Sequence, residues 1–560
     1  MACWKNNFKK LSFLFLTILA LILLTSCKKV EVELAYFKGI TAEGLYNKNL
    51  FYRNDLEIKS ADPHCIFVEH GEEKGWFYMY ATSDLLGCEG IMAWKSKDLA
   101  NWETVGVVFA PEDDSWSVAN IWAPEVIYDE DDELYYMFYS ATNNNTRAGY
   151  HNTKYLGLAT SKSPAGPFIQ WTGINSDGNT IKIGDPIFVL ENIGLDHDLY
   201  KEGRGFIDAS PFVDPLTKEK YLYFTQNRNV DKTNRIWGMR MKDWATPDYS
   251  TVKVLTEVNK ATPEGGFTDV EEGIINEAPQ MLYHEGYYYL TYSIDSASSK
   301  TYSVYQAVSD SPLGEFRKLT LEEGGLVLGA ELGWDHASGS GHHGFVQAGD
   351  ELWVVYHQHL DRNYGNTMER GLASDRVYWV KNENAFPVLY ANGPTYSLQP
   401  KPKIANGYYN IASMAEINAT NMLPTSKVEY LNDGLLQLHE FGIVKEFEFE
   451  KTSTITLKFS DYQKITALMI YNSYDYQKAF VRIEKIELSF KVNKTKGTAY
   501  IEKLAFDWDL YANVYEEFMR PGGAVIAEFN ELLVNKISIT IKAPEGIEVA
   551  AISDIIVLGK

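Results

Sequence analysis

The stretch Asn276-Glu277-Ala278-Pro279, with Tyr287-Tyr288-Tyr289-Leu290 eight residues further on, decides the fold of this chain. A carboxylate beside Ala-Pro leads into an apolar strand, and a turn at Gly286 leads into a tyrosine-rich strand. Aromatic residues favour strands, and two such runs separated by a glycine-containing turn indicate a β-hairpin. The same module recurs along the chain, so this stretch is one unit of a repeat.

The chain carries four further copies of this module. They read Ala61-Asp62-Pro63 to Phe77–Tyr80, Trp122-Ala123-Pro124-Glu125 to Tyr135–Tyr139, Phe206–Pro211 to Tyr221–Phe224, and Gly341–Gly344 to Leu352–Tyr356. Marker positions 62, 125, 208, 277 and 342 are 63, 83, 69 and 65 residues apart. Repeated four-stranded units of this kind predict a β-propeller, here with five blades. Two successive sandwiches would not explain the repeated markers.

The repeat ends near residues 392–395, and Pro400-Lys401-Pro402 is expected to be a linker. Residues 405–560 contain alternating strands at 453–459, 465–471, 483–490 and 536–541 without the blade markers. We therefore predict an all-β chain, with a five-bladed propeller as the catalytic domain at 51–400 and a β-sandwich (jelly-roll-like) domain at 405–560. Residues 465–473 and 483–490 loosely resemble discoidin-like domains.

Composition excludes several classes of protein. The chain has 560 residues, of which 45% are hydrophobic, and this argues against disorder. The net charge of −23 makes a nucleic-acid partner unfavourable, because phosphate repels such a field. Four cysteines without ligand spacing exclude zinc ribbons and disulfide-dense scaffolds. The 37 Tyr, 27 Phe and 13 Trp leave a neutral polysaccharide partner open.

The N-terminal segment predicts export. Lys5, Lys9 and Lys10 precede the apolar run Leu11–Leu24, which is too short to span a bilayer, and Cys27 follows Thr25-Ser26. The ending resembles a bacterial lipoprotein signal at 1–26, with an acylated Cys27 and a tether at 27–50; a plain cleaved signal is the alternative. The expected location is the bacterial cell envelope, lipid-anchored in the periplasm or on the outer-membrane surface.

The markers of the first, third and fourth copies are the acids Asp62, Asp208 and Glu277. The first strand of each blade lines the axis of a propeller, so these side chains should converge there. Carboxylates gathered at one place repel, which raises some pKa values and separates their roles. A turn residue beside proline is the alternative for any single acid, and metal binding is the alternative for the group.

At these residues the chain resembles the family 43 glycoside hydrolases, over about residues 50–395. The resemblance implies that Asp62 is the general base, that Glu277 is the general acid, and that Asp208 tunes the pKa of the acid and orients it. The resemblance also implies that the reaction requires no cofactor. Gly339-Ser340-Gly341-His342 matches a family motif whose histidine often lies near a calcium ion or its waters, which leaves a structural calcium near the axis open.

The resemblance also implies residues that bind substrate. Arg370 falls where the family tends to place a substrate-contacting arginine, and Trp122 with Glu125 belongs to the second-blade motif. Many relatives carry Asp at the position of Glu125. We expect His343, His357 and His359 to make structural hydrogen bonds. For Cys65 and Cys88, a disulfide and free thiols both stay open.

The predicted function is that of an inverting glycoside hydrolase acting on plant polysaccharide, an α-L-arabinofuranosidase or arabinanase. A β-xylosidase or a galactan-cleaving glycosidase is the alternative within the family. A non-catalytic carbohydrate-binding lipoprotein and a calcium-dependent adhesion propeller are the alternatives from other classes. An inverting mechanism places the two catalytic carboxyls about 6.5–9.5 Å apart, to leave room for a water.

Overall fold

The computed structural model describes residues 46–560, apart from residues 55, 57, 144–153, 190–202, 229–232, 259–271, 330–336, 361–367, 382, 396, 439–442, 476, 481, 493 and 506–522. The predicted signal segment and Cys27 lie outside the described residues. Over the part of the chain that is described, no helix has both the length and the apolarity to cross a membrane.

The chain is all-β, and its first part consists of five successive antiparallel meanders, numbered 1 to 5 below. Strand β1 (Phe51–Tyr52) precedes them. Meander 1 comprises β2 (Ala61–Phe67), β3 (Phe77–Thr82), β4 (Ile91–Ser96) and β5 (Trp102–Phe109). Meander 2 comprises β6 (Ser117–Asp129), β7 (Leu134–Asn143), β8 (Lys154–Ser161) and β9 (Ile169–Gln170), and the short hairpin β10 (Gly173–Ile174) and β11 (Thr180–Ile181) follows it.

Meanders 3 to 5 repeat the pattern. Meander 3 comprises β12 (Gly203–Val213), β13 (Lys220–Arg228), β14 (Asn234–Asp243), β15 (Thr246–Pro247) and β16 (Lys253–Glu257). Meander 4 comprises β17 (Asn276–His284), β18 (Tyr287–Ile294), β19 (Ser303–Ser309), β20 (Arg317–Lys318) and β21 (Leu326–Leu328). Meander 5 comprises β22 (Gly341–Ala348), β23 (Glu351–His359), β24 (Arg370–Val380) and β25 (Val388–Ala391). A parallel pairing of β8 with β12 joins meanders 2 and 3 into one sheet.

The first strands of the meanders contact one another in the cyclic order β2, β6, β12, β17, β22 and back to β2. An apolar cluster lies between each pair of neighbouring meanders. The cluster between meanders 5 and 1 joins Trp353 and Val355 to Phe77 and Met79. The tyrosines that mark the repeat are therefore packing residues of these clusters.

Residues from 405 onward form one antiparallel sheet in the order β27-β34-β30-β33-β31-β32, with β28 on β30 and β29 on β34. Its strands are β27 (Tyr409–Asn410), β28 (Ala415–Ala419), β29 (Phe447–Glu450), β30 (Thr452–Asn472), β31 (Arg482–Val492), β32 (Thr495–Ala505), β33 (Ala524–Lys542) and β34 (Val549–Gly559). The two strands expected at 453–459 and 465–471 are the halves of β30, which pair on one side with β28 and with β34 respectively. The sandwich arrangement stays a prediction.

The expected linker is not an exposed connection. Strand β26 (Gln399–Pro400) pairs with β1, and Arg376 donates hydrogen bonds to the carbonyl oxygens of Pro400 and Lys401. Lys401 is buried and forms an ion pair with Asp98 at 2.7 Å. The segment is therefore held at both its backbone and its side chains. A short α-helix, Lys403–Asn406, follows it, and within the described residues 3-10 helices lie at Asp84–Leu86, Tyr249–Thr251, Ala412–Met414 and Val428–Leu431.

Candidate active site

Each first strand contains a β-bulge whose first residue has left-handed backbone geometry. The left-handed residues are Asp62, Ala123, Asp208, Ala278 and His342, with φ of 52°, 46°, 58°, 53° and 47°. In every meander the register of the first strand with the second slips at this residue and the next. Bulges re-aim side chains and are common next to active sites.

These bulges correct the register assumed from the sequence. Asp62, Asp208 and His342 are equivalent, but Glu277 precedes its bulge residue by one and Glu125 follows its bulge residue by two. The prediction that all five markers share one position was wrong for these two glutamates. The physical reason is that the bulge, with a proline in three of the copies, sets the equivalence, whereas the carboxylates lie at different steps around it.

Three side chains hold the carboxylate of Asp62. Thr82 Oγ1 donates a hydrogen bond to Oδ2 at 2.7 Å, and Arg370 Nη1 donates to Oδ1 at 3.2 Å. His342 Nδ1 lies 3.3 Å from the same Oδ1. Burial raises the pKa of Asp62, but the charges of His342 and Arg370 outweigh it, so the pKa lies well below its ordinary value. Asp62 is therefore ionised at neutral pH.

Glu277 has the opposite electrostatic environment. The pKa of Glu277 is raised to about 7. Burial is the largest cause, a hydrogen bond from Tyr302 opposes it, and the nearby charge of Asp62 adds to it. Tyr302 Oη donates to Glu277 Oε1 at 2.8 Å. A carboxyl group with this pKa is protonated in a large fraction of molecules at neutral pH and can donate that proton.

Asp208 connects to the Glu277 segment through the backbone. Its Oδ2 accepts a hydrogen bond from the N–H of Ala278 at 3.1 Å, next to Glu277 in the chain. Burial, then the charges of Glu277 and Asp62, raise the pKa of Asp208 well above its ordinary value. Burial is the largest cause of the raised pKa of Glu277, and Asp62 is the charge that raises it most. From the sequence we expected Asp208 to be the cause. Two interacting carboxyls of this kind titrate as a pair.

The two predicted second-blade residues lie at different depths. Trp122 Nε1 donates to Asp84 Oδ2 at 3.1 Å, and Lys154 Nζ lies 3.5 Å from the centre of its ring. Burial lowers the pKa of Lys154 to about 8, against the charges of Asp208 and Asp84. Trp122 thus stands on the Asp208 side of the cluster.

Glu125 lies further along its strand than the bulge. It is buried, accepts a hydrogen bond from Gln280 Nε2, and has His64 Nε2 at 3.9 Å from Oε2. Burial raises its pKa well above the ordinary value. Contact with substrate stays a prediction for Glu125, as it does for Trp122 and Arg370.

No group of three or more His, Cys, Asp or Glu side chains that could hold a metal ion occurs in the described ranges. Calcium takes six to eight oxygen ligands, whereas His342 offers nitrogen and directs it at Asp62. The residues described here do not fit a calcium site built from protein oxygens. Calcium near the axis stays a prediction, and no step below uses it.

The structure adds three residues that the sequence did not single out as functional, namely Thr82, Tyr302 and His357. Tyr302 belongs to no motif, because it lies just before the third strand of meander 4 rather than in the first. A glycine in the quoted motif was its indirect signal: a Cβ at Gly341 would lie 2.4 Å from the Tyr302 ring. His343 and His359 do bond within the fold, to Thr291 Oγ1 and to the Ala297 carbonyl. Cys65 and Cys88 are both free thiols.

Comparison with known proteins identifies the family. The sequence model of Glycosyl hydrolases family 43 matches residues 56–384. β-D-Galactofuranosidase xynD of Aspergillus niger is 23% identical over 325 residues, 56% of this chain and 78% of that protein. Arabinan endo-1,5-α-L-arabinosidase C of Emericella nidulans is 24% identical over 310 residues, 52% of this chain and 81% of that protein.

Among solved structures, a thermostable family-43 glycoside hydrolase is 28% identical, with 63% of this chain and 99% of that one aligned at a TM-score of 0.49. The family match covers more than half of the 560 residues and includes Asp62, Asp208 and Glu277. The chain therefore belongs to glycosyl hydrolases family 43, and it is a glycoside hydrolase.

Proposed function

We propose that this glycoside hydrolase inverts the anomeric centre, with Asp62 as general base and Glu277 as general acid. The observation that carries the proposal is the opposite direction of their pKa shifts within one buried cluster. Two carboxyls whose surroundings push their pKa values apart can perform base and acid chemistry at the same pH. Asp208 orients the acid through the N–H of Ala278.

The steps balance without a cofactor. Asp62 accepts a proton from a water molecule while the water oxygen bonds to the anomeric carbon. The bond from that carbon to the leaving oxygen breaks, and Glu277 protonates that oxygen. Attack and departure occur on opposite faces of the sugar, so the configuration inverts, and we expect the carboxyl separation of about 6.5–9.5 Å that this requires. Exchange of protons with solvent then restores both groups.

We infer that the five meanders are the blades of a five-bladed propeller spanning residues 51–400, followed by a β-sandwich at 405–560. The cyclic contacts of the first strands and the five apolar clusters support the propeller. In such a fold the five bulges meet at one end of the axis, which explains how acids more than 200 residues apart share one cluster.

The substrate we propose is an α-L-arabinofuranosyl linkage in arabinan or in an arabinose-decorated glycan. The names of the two relatives support a furanoside: one acts on arabinan and the other is a β-D-galactofuranosidase. These two sugars share the same ring configuration and differ in the substituent beyond C4. A β-xylosidase or a galactan-cleaving enzyme is the second candidate.

A panel of 4-nitrophenyl glycosides, with linear arabinan beside it, tests the substrate. We expect cleavage of the α-L-arabinofuranoside to be fastest, with weaker action on the β-D-galactofuranoside. A kcat/KM that is highest for the β-D-xylopyranoside would overturn the furanoside assignment. Accumulation of long oligosaccharides from arabinan would identify internal cleavage, and release of arabinose alone would identify cleavage from chain ends.

We also propose that acylated Cys27 anchors the enzyme to a membrane of the bacterial envelope. The sequence supports this through the apolar run followed by Thr25-Ser26-Cys27.

A further inference from the structure

A side chain of the preceding meander binds the backbone N–H of every bulge residue. The acceptors and donors are Thr82 Oγ1 with Ala123 N at 2.8 Å, Ser140 Oγ with Asp208 N at 2.9 Å, Asp208 Oδ2 with Ala278 N at 3.1 Å, Ser293 Oγ with His342 N at 2.9 Å, and His357 Nδ1 with Asp62 N at 3.3 Å. We call these five hydrogen bonds the bulge junctions. The last one connects meander 5 back to meander 1.

His357 occupies the register position that a hydroxyl residue occupies in the other meanders. Residues Thr82, Ser140, Thr225, Ser293 and His357 each lie opposite the residue before the bulge of their own meander. Three junctions use such a hydroxyl as acceptor. The two that hold the segments of Glu277 and Asp62 use an ionisable group instead, Asp208 and His357.

The comparison of junctions assigns the tautomer of His357. Its Nδ1 lies 3.3 Å from the N–H nitrogen of Asp62 and 3.4 Å from Oδ1 of the same residue. A hydroxyl can accept and donate at once, but one nitrogen of a neutral imidazole does only one of the two. The other four junctions all accept from the bulge N–H, so Nδ1 accepts here and the proton resides on Nε2.

The alternative tautomer leaves more groups unpaired. With the proton on Nδ1, the buried N–H of Asp62 loses its acceptor, and Nε2 has no partner among the described residues in either tautomer. An unpaired buried polar group destabilises the folded state. The ring of His357 is fully buried and stacks on Tyr302, with centroids 5.5 Å apart and planes 5° apart. Burial lowers the pKa of His357 to about 3, so the ring is neutral.

We propose that His357, as the neutral tautomer with its proton on Nε2, is the positioning residue of Asp62, as Asp208 is for the Glu277 segment. The proposal rests on Asp62 being the base. Left-handed geometry is unfavourable for an L-residue, so the Asp62 bulge needs an acceptor that holds it. Thr82 and Arg370 direct the carboxylate, and His357 fixes the backbone from which it projects.

Substitutions at His357 distinguish the contribution of the hydrogen-bond acceptor from that of the buried ring. The Oδ1 of Asn falls near the position of Nδ1, the Oε1 of Gln falls near the position of Nε2, and Leu offers no acceptor. We expect His357→Leu to lower kcat by about 10- to 100-fold, the effect of a small misplacement of a catalytic group, with KM within about twofold. His357→Asn should regain most of the loss, and His357→Gln should not.

The pH profile adds a readout that a merely structural role would not move. Because Nδ1 accepts and does not donate to the carboxylate, the acid limb of kcat/KM should stay in place in His357→Leu. His343→Leu, a buried histidine of the same strand pair bonded to Thr291, is the control for lost stability. It should lower the melting temperature without the drop in kcat.

Three results would overturn the proposal: parental kcat in His357→Leu, equal activity of the Asn and Gln variants, or an acid limb that moves to higher pH. The last would mean that Nδ1–H donates to Asp62. If His357→Leu does not fold, the Asn and Gln pair still decides. Asp62→Ala tests the proposed function separately from the role of His357. Substantial activity in that variant refutes Asp62 as base, whatever His357 does.

Discussion

At the scale of single residues, Glu277 differs from Asp62 in what surrounds its carboxyl group: one hydrogen bond from Tyr302, against Thr82, Arg370 and His342 around Asp62. Glu277→Gln keeps the shape and removes the proton. We expect activity on arabinan to fall by about 10²–10⁴-fold. The loss should be smaller on a dinitrophenyl glycoside, whose leaving group needs no protonation.

The matched control is Glu315→Gln, an exposed glutamate of the same meander, which should behave as the parent. Equal losses of Glu277→Gln on the natural and the activated substrate would show that Glu277 does not donate the proton.

Two neighbours of Glu277 should move the alkaline limb of the pH profile in opposite directions. The limb of the parent should lie near pH 7, because Glu277 must be protonated and its pKa is about 7. Asp208→Asn removes an acidic group that titrates as a pair with Glu277, so we expect the pKa of Glu277 and the limb to fall. Tyr302→Phe removes a donor to the ionised form, so both rise.

Profiles of kcat/KM against pH for the two variants and the parent are the measurement. Limbs that shift in the same direction would contradict the assignment of Glu277 as the titrating acid.

The sequence located single residues well where a motif marks them. Asp62, Asp208 and Glu277 were found because each belongs to a motif that recurs in the first strand of its meander. Their equivalence was misjudged, because a bulge inserts a residue without leaving a period in the sequence. Thr82 and Tyr302 were missed because no motif marks them: Thr82 lies opposite the residue before Asp62 in the β2–β3 hairpin, and Tyr302 lies just before β19, two strands along from Glu277.

At the scale of elements, Gly341 shows why the motif at the first strand of meander 5 is rich in glycine. A Cβ here would meet the Tyr302 ring at 2.4 Å and 2.5 Å. We expect Gly341→Ala to displace the ring from Glu277, to destabilise the fold by about 1–3 kcal/mol as overpacking does, and to reduce kcat more than tenfold.

Denaturant unfolding and steady-state kinetics measure the two effects. The control is Gly349→Asn, in the turn of the same hairpin, because a Cβ there has no heavy atom within 4 Å and Asn tolerates its φ of 69°. Parental activity in Gly341→Ala would refute the contact of Tyr302 with the acid.

The strands themselves were predicted with more success than their ends. The five hairpins follow from runs of aromatic residues between turns, and all five are present. The linker expected at Pro400-Lys401-Pro402 is not exposed, because paired backbone and the Lys401–Asp98 ion pair hold that segment in the fold. The domain boundaries stay a prediction. A proline-rich stretch resembles a linker in sequence even when tertiary contacts bury it.

At the scale of the whole molecule, the proposed anchor at Cys27 can be tested directly. Cys27→Ala in the full-length chain should move the enzyme from the membrane fraction to the soluble fraction, because a cleaved chain without the thiol cannot be acylated. Fractionation followed by an activity assay is the measurement. Membrane association that persists in the variant would place the anchor elsewhere.

The central claim is that Asp62 delivers a water to the face opposite the bond that Glu277 protonates. Proton NMR of the parent enzyme acting on an α-L-arabinofuranoside, recorded before mutarotation, tests it most directly. We expect β-L-arabinofuranose as the first-formed product. An α-configured first product would mean that a carboxylate attacks the sugar itself, and it would contradict the assignment of Asp62 as base.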